Sequence, residues 1–148
     1  MSTSATGAST SAPPGSTSPT GFVMTARVTL ALIAVQFGLA GLGAFRGLNG
    51  KDTSDGWWAP HSMLGYGIGL LTLVLLVLAL VSKLGRQTVT WTAISAALAV
   101  IGQPLLATLG DKASPWFGLL HALDGVAIAA LLGIVAARVT AGAAGRTR

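Results

Sequence analysis

The sequence contains no cysteine, which excludes disulfides, thiolate metal sites, iron–sulfur clusters and cysteine nucleophiles. Charge is nearly as scarce. Only 9% of the residues are charged, against roughly 25% in an average soluble domain. The acids are Asp52, Asp55, Asp111 and Asp124 alone. There are no paired carboxylates, no Ser/His/Asp arrangement and no nucleotide loop, since the Gly-x-Gly of Gly65 and Gly67 lies inside an apolar run. Nothing marks a hydrolytic or transferase site, and no catalytic activity is expected of the chain on its own. The net charge of +5 does not imply nucleic acid, because the basic residues are scattered singly and build no basic face.

What the chain does have is apolar length. Hydrophobic residues make up 52% of its 148 positions, enough for one domain whose surface must be buried or lie in lipid. Residues 1–21 are Ser, Thr, Ala, Gly and Pro with little that is bulky, and they read as a disordered tail. Four runs follow that are free of charge except for Asp124: residues 28–45, 60–82, 87–110 and 113–137. Each is close to the roughly 20 residues that a spanning helix needs. A soluble bundle would show a polar stripe, and the LLTLVLLVLAL run at 70–80 has none. The first run is long for the core of a cleaved signal peptide, so it is kept as a helix. The expected fold is all-α: a four-helix transmembrane domain over 22–140, with helices at about 25–45, 59–82, 88–109 and 115–138, then a short basic tail over 141–148.

Orientation follows from the loop charges. With the amino end inside, Arg27, Lys83, Arg86, Arg138, Arg146 and Arg148 flank the cytoplasmic side with no acid among them. The outer loops carry Arg46, Lys51 and Lys112 against Asp52, Asp55 and Asp111. The positive-inside rule then places both termini in the cytoplasm of a multi-pass protein of the cell membrane. Trp57, Trp58 and Trp116 fall at the outer edge as interfacial anchors, and Pro104 within the third run predicts a kink and a freed carbonyl.

The rare polar residues repeat. QFGLAGLG at 36–43 aligns with QPLLATLG at 103–110, and His61, Gly65 and Ile68 align with His121, Gly125 and Ile128 at the same offsets. The chain has only three glutamines and two histidines, so these matches are informative where those of Leu, Ala and Gly are not. The halves read as two helix pairs related by a pseudo-twofold axis along the membrane normal. That symmetry sets His61 and His121 at similar depth near the outer ends of helices two and four, facing one another. Gly65 and Gly125, one turn below, leave room beside each imidazole for a flat macrocycle.

The sharp expectation is a b-type haem between those helices, with His61 and His121 as axial ligands and Arg46, Lys51 and Lys112 within reach of its propionates. The plain alternative is a pair of boundary histidines bonded to water or headgroups. Asp124, three residues after His121, is expected to orient an imidazole, to relay protons, or to bond a glutamine on a neighbouring helix. Gln36 and Gln103 read as glue between helices, and the Gly38, Gly41 and Gly43 set as close helix packing.

At His61 and His121 the pattern resembles one four-helix half of the haem A synthase family, whose members look like two fused four-helix bundles with histidines at the outer ends of the second and fourth helices. An uncharacterised four-helix family of bacterial-type membrane proteins would share the topology. The substrate-binding half of the synthase family has a glutamate three residues before the first histidine and an arginine after it; here those positions are Trp58 and Ser62. The resemblance therefore implies a haem-holding role and not synthase chemistry. Three functions follow: a membrane cytochrome passing electrons to a membrane redox partner or quinone, a non-catalytic subunit of a homo- or hetero-oligomer, and a small proton-coupled permease using Asp124, Gln36 and Gln103 around a cavity.

Overall fold

A computed structural model describes residues 19–48 and 58–145. The expectations for the tail before residue 19, for Lys51, Asp52, Asp55 and Trp57, for Arg146 and Arg148, and for the side chain of Arg46 lie outside the described residues. The helices are α1 (Pro19–Leu48), α2 (Ala59–Val81), α3 (Arg86–Ala97), α4 (Gln103–Lys112) and α5 (Pro115–Gly145), with a π turn at Leu98–Gly102 joining α3 to α4. Four of the resulting segments are long and apolar enough to cross a membrane: α1, α2, the continuous span Arg86–Lys112, and α5. Large apolar side chains face outward along all of them, among them Val35, Leu70, Ile101 and Val126. This is the composition of a surface solvated by lipid, and the protein is a multi-pass integral membrane protein.

The helices run past the expected boundaries. α1 starts on Pro19, inside the stretch read as a tail, and α5 continues to Gly145. Proline is favoured at a first helical position because its missing N–H would have no partner there. The hydroxyls of Thr25 and Thr29 donate to the carbonyls of Gly21 and Thr25, four residues back, so these polar residues are satisfied within the helix.

α1 packs on α2 and α5, and the third span packs on α2 and α5 as well. α2 and α5 are thus diagonal partners across the bundle. The half of the bundle nearer the α2–α3 turn is filled by Phe22 and Ala26 of α1, Leu75 and Ala79 of α2, and Leu132, Val135 and Val139 of α5.

The turn between α2 and α3 ends α2 in a Schellman motif. The Leu84 N–H donates to the Ala79 carbonyl and the Lys83 N–H to that of Leu80, with Lys83 at φ 51°. That left-handed position usually takes glycine, and a side chain there costs about 1 kcal/mol. Lys83→Gly is therefore expected to stabilise the protein by about 1 kcal/mol. Lys83→Ala, which removes the charge but keeps the strain, is not. Unfolding of the two variants in detergent tests the difference.

The π turn has a reason in the burial pattern. Ala26, Thr29 and Ile33 are buried on α1; Thr92, Ser95 and Ala99 are buried at the same spacing on the third span. Gln36 follows Ile33 by three residues, whereas Gln103 follows Ala99 by four. The extra residue is absorbed where the Gln103 N–H donates to the Leu98 carbonyl, five residues back. The wider turn also falls where Pro104 would press on the carbonyl four residues before it. The expected distortion at Pro104 thus takes the form of a π turn that restores register, so Gln103 reaches the interior as Gln36 does.

Candidate functional site

His61 lies in the first turn of α2 and His121 two turns into α5, and both side chains are half-buried. Their ring centroids are 6.1 Å apart, with the planes inclined at 61°. Each ring is held by a glutamine on the adjacent helix in the same two-way clamp. The Gln36 amide donates to the His61 main-chain carbonyl at 2.9 Å, and His61 Nδ1 faces the Gln36 carbonyl at 3.4 Å. The Gln103 amide donates to the His121 carbonyl at 2.8 Å, and His121 Nδ1 faces the Gln103 carbonyl at 3.0 Å. A carbonyl can only accept, so each of these contacts is a hydrogen bond when Nδ1 carries the proton, and in the neutral ring that leaves the lone pair on Nε2.

Beyond the clamp the two halves diverge. Leu64 stands three residues after His61, and Asp124 three after His121. The Gln103 amide, besides its bond to His121, donates to Asp124 Oδ2 at 2.9 Å. Gln36 has no such partner. Its Nε2 lies 3.4 Å from His61 Nε2, and its buried Oε1 has no hydrogen-bond partner. Asp124 therefore bonds a neighbouring helix, while the orienting contact on His121 comes from the Gln103 carbonyl. The carboxyl can approach because the π turn ends in glycine: a Cβ on Gly102 would stand 3.1 Å from Asp124 Oδ2.

Gly65 and Gly125 are not open floors in this structure. A Cβ on Gly65 would meet Gln36 Nε2 at 3.1 Å, and one on Gly125 would meet the Phe37 ring at 3.4 Å. A cavity of about 200 Å³ remains, lined by both histidines, both glutamines, both of these glycines and Phe37 among others. Asp124 is not in its wall.

The end of the site nearer the α4–α5 turn is also unequal. Trp58, read from sequence as a boundary anchor, packs edge-on against His61 with centroids 5.7 Å apart and covers Gly43, whose Cβ would stand 3.2 Å from its ring. Gly118 takes the corresponding place after α4, and there the backbones of Gly110 and Gly118 close on each other. Trp116, by contrast, is exposed at the start of α5 as an anchor would be. The signal that separates them is the offset from the repeated histidine: Trp58 stands three residues before His61, whereas Trp116 stands five before His121.

Residues 36–109 match a family of unknown function (DUF6220). The chain belongs to that family. No curated protein and no solved structure matches it. The DUF6220 match opens on Gln36 and includes His61 and Gln103, so it takes in both clamp glutamines and one of the two imidazoles. His121 and Asp124 lie beyond it, on the helix that completes the site.

Proposed function

We propose that the protein is a membrane cytochrome-like electron carrier that holds a b-type haem between His61 and His121, near the outer face of the cell membrane. The separation of the two imidazoles, 6.1 Å between centroids, supports this reading most. At that separation His61 and His121 would be the residues that hold the haem iron between them. The donor chemistry is compatible, since Nδ1 of each ring faces a main-chain carbonyl and Nε2 would be the ligating nitrogen once Gln36 turns aside from His61 Nε2.

Room is the second requirement. A cavity of about 150 Å³ holds benzene, and the space here is about 200 Å³, short of a porphyrin. The side chains that take up the remainder are Gln36 over Gly65 and Phe37 over Gly125. A macrocycle would lie against these glycines with both side chains turned aside. Bound there, haem would supply reversible one-electron chemistry. The chain's own groups would hold the two imidazoles in their ligand tautomer, exclude water with Ile68 and Ile128, and exchange electrons with a membrane redox partner or quinone.

The reading includes a pseudo-twofold relation of the helix pairs, cytoplasmic termini set by the basic inner flanks, and the resemblance to one half of the haem A synthase family. The matched glutamine clamps support the first of these. A permease gains less support, because it would use Asp124 in the cavity wall. A scaffold without a cofactor leaves two oriented imidazoles without a role. The deciding experiment is the visible spectrum of protein purified from haem-replete cells. A Soret band is expected, and His61→Ala or His121→Ala should each abolish it; a colourless protein sinks the reading.

A further inference from the structure

α2 packs on α3 and on the π turn but parts from α4. Beyond the π turn the third span keeps its packing on α5, where Gly110 and Gly118 close on each other, and leaves α2 behind. Ser62 and Tyr66, one turn apart on α2, and Pro104 and Ala107 on α4 all stand in the wall of the cavity on the side where these helices separate. We infer that the cavity takes the head of a benzene-type hydroquinol, a single aromatic ring bearing hydroxyl groups, which enters from the bilayer between α2 and α4 and leaves its apolar tail in lipid. The inference applies to the cavity with Gln36 and Phe37 in place and does not rest on haem.

Size and access select a lipid-borne single ring. A cavity of about 150 Å³ holds benzene. The space here, about 200 Å³, holds one six-membered ring with small substituents and is short of a fused pair. Ile33, Ile68 and Ile128 are buried in its wall and suit the faces of such a ring. Tyr66 is 72% exposed on a helix solvated by lipid, so the wall reaches the membrane and not only the aqueous end of the bundle.

Hydrogen bonding selects the hydroxyl form. The Gln36 amide nitrogen donates to the His61 carbonyl, which fixes the other atom of the amide as oxygen, and that buried oxygen has no partner. A buried acceptor left open marks a donor still to come. The π turn leaves a second acceptor open in the wall. In an α-helix the Ala99 carbonyl would receive the Gln103 N–H, but that N–H goes to Leu98, and the next residue, Pro104, has none to give. The Gln103 amide nitrogen is itself taken up by the His121 carbonyl and Asp124. Imidazole nitrogens and the hydroxyls of Ser62 and Tyr66 take either role, so they do not discriminate. The wall therefore favours a ligand that brings hydroxyl protons. A quinone brings only carbonyl oxygens, and a hydrocarbon ring brings neither.

The test places the full chain, free of haem, in lipid nanodiscs and titrates it anaerobically with radiolabelled decylhydroquinone. Saturable uptake of one molecule per chain, above that of empty discs, is expected. Decylquinone, the same ring with two carbonyls, should bind at least about tenfold more weakly, and a fused-ring decylnaphthohydroquinone should bind more weakly as well. Gln36→Leu removes the open acceptor at nearly constant volume and should lose about tenfold in affinity. Ala107→Phe, which narrows the opening without touching the glutamines, should also weaken binding. Leu70→Ala, on the lipid-facing surface away from the cavity, should leave it unchanged. Uptake no greater than that of empty discs, equal affinity for decylquinone, or full affinity in both Gln36→Leu and Ala107→Phe would each overturn the inference. Hydroquinol binding by a protein that stays colourless in haem-replete cells removes the haem reading alone; a Soret band in those cells, with no hydroquinol uptake by the haem-free chain, removes this inference alone.

Discussion

Replacing Gln103 with leucine is expected to destabilise the protein by about 2 kcal/mol, whereas Gln36→Leu should cost under about 1 kcal/mol. The two glutamines make the same clamp, so the difference lies in what each leaves behind. An interhelical hydrogen bond in a membrane protein is worth about 0.6 kcal/mol on average. Gln36 gives up its bond to the His61 carbonyl, and its removal also discards a buried carbonyl oxygen that has no partner. Gln103 gives up its bond to the His121 carbonyl and in addition strands the carboxyl of Asp124, which it holds at 2.9 Å. Leaving a half-buried acid without its donor costs more than the lost bond itself. The double variant Gln103→Leu with Asp124→Leu should recover most of the loss, because Leu64 already occupies the corresponding place in the other half. Detergent unfolding of the three variants reads this directly. Equal losses for Gln36→Leu and Gln103→Leu would contradict the account. Nδ1 of His121 faces a main-chain carbonyl, so these substitutions leave that acceptor in place.

The second large effect is expected at the turn between α4 and α5. Gly110→Ala places a Cβ 2.9 Å from the backbone nitrogen of Gly118 and 3.2 Å from its Cα. Neither atom can rotate away, so α4 and α5 must separate at the turn, at about 1–3 kcal/mol. The disturbance reaches the site, because Gln103 lies two turns below Gly110 and His121 one turn below Gly118. The reciprocal change is the control. A Cβ on Gly118 meets nothing within 4 Å, so Gly118→Ala should be nearly neutral. The pair thus separates close backbone approach from any general intolerance of alanine in this turn, and similar melting temperatures for the two variants would refute it.

Much of the architecture was legible in the residues. Four long runs almost without charge can be only membrane spans, since a lipid-facing helix leaves no place for the polar stripe a soluble bundle needs. The candidate pair was legible because glutamine and histidine are rare here and recur at matched positions. The described part of α1 already begins at Pro19, although the Ser/Thr-rich composition of residues 1–21 pointed to a later helix.

The rest depended on how four helices meet. The offset between Gln36 and Gln103 is one residue larger than that between the buried sets before them, and only packing decides whether a helix takes up that residue as a π turn or rotates its polar face away. The acceptors for both Nδ1 atoms are main-chain carbonyls, which every residue carries and no sequence pattern marks. Gly65 and Gly125 leave space in the abstract, but the side chains of Gln36 and Phe37 from a different helix take it. The sequence alone determined that this is a four-span membrane protein with two rare polar pairs, because solvation by lipid is read residue by residue. The tertiary structure decided that the two imidazoles converge 6.1 Å apart, each with Nδ1 facing a main-chain carbonyl and a single carboxyl behind one of them, because distances between helices are set by contacts far apart in the chain.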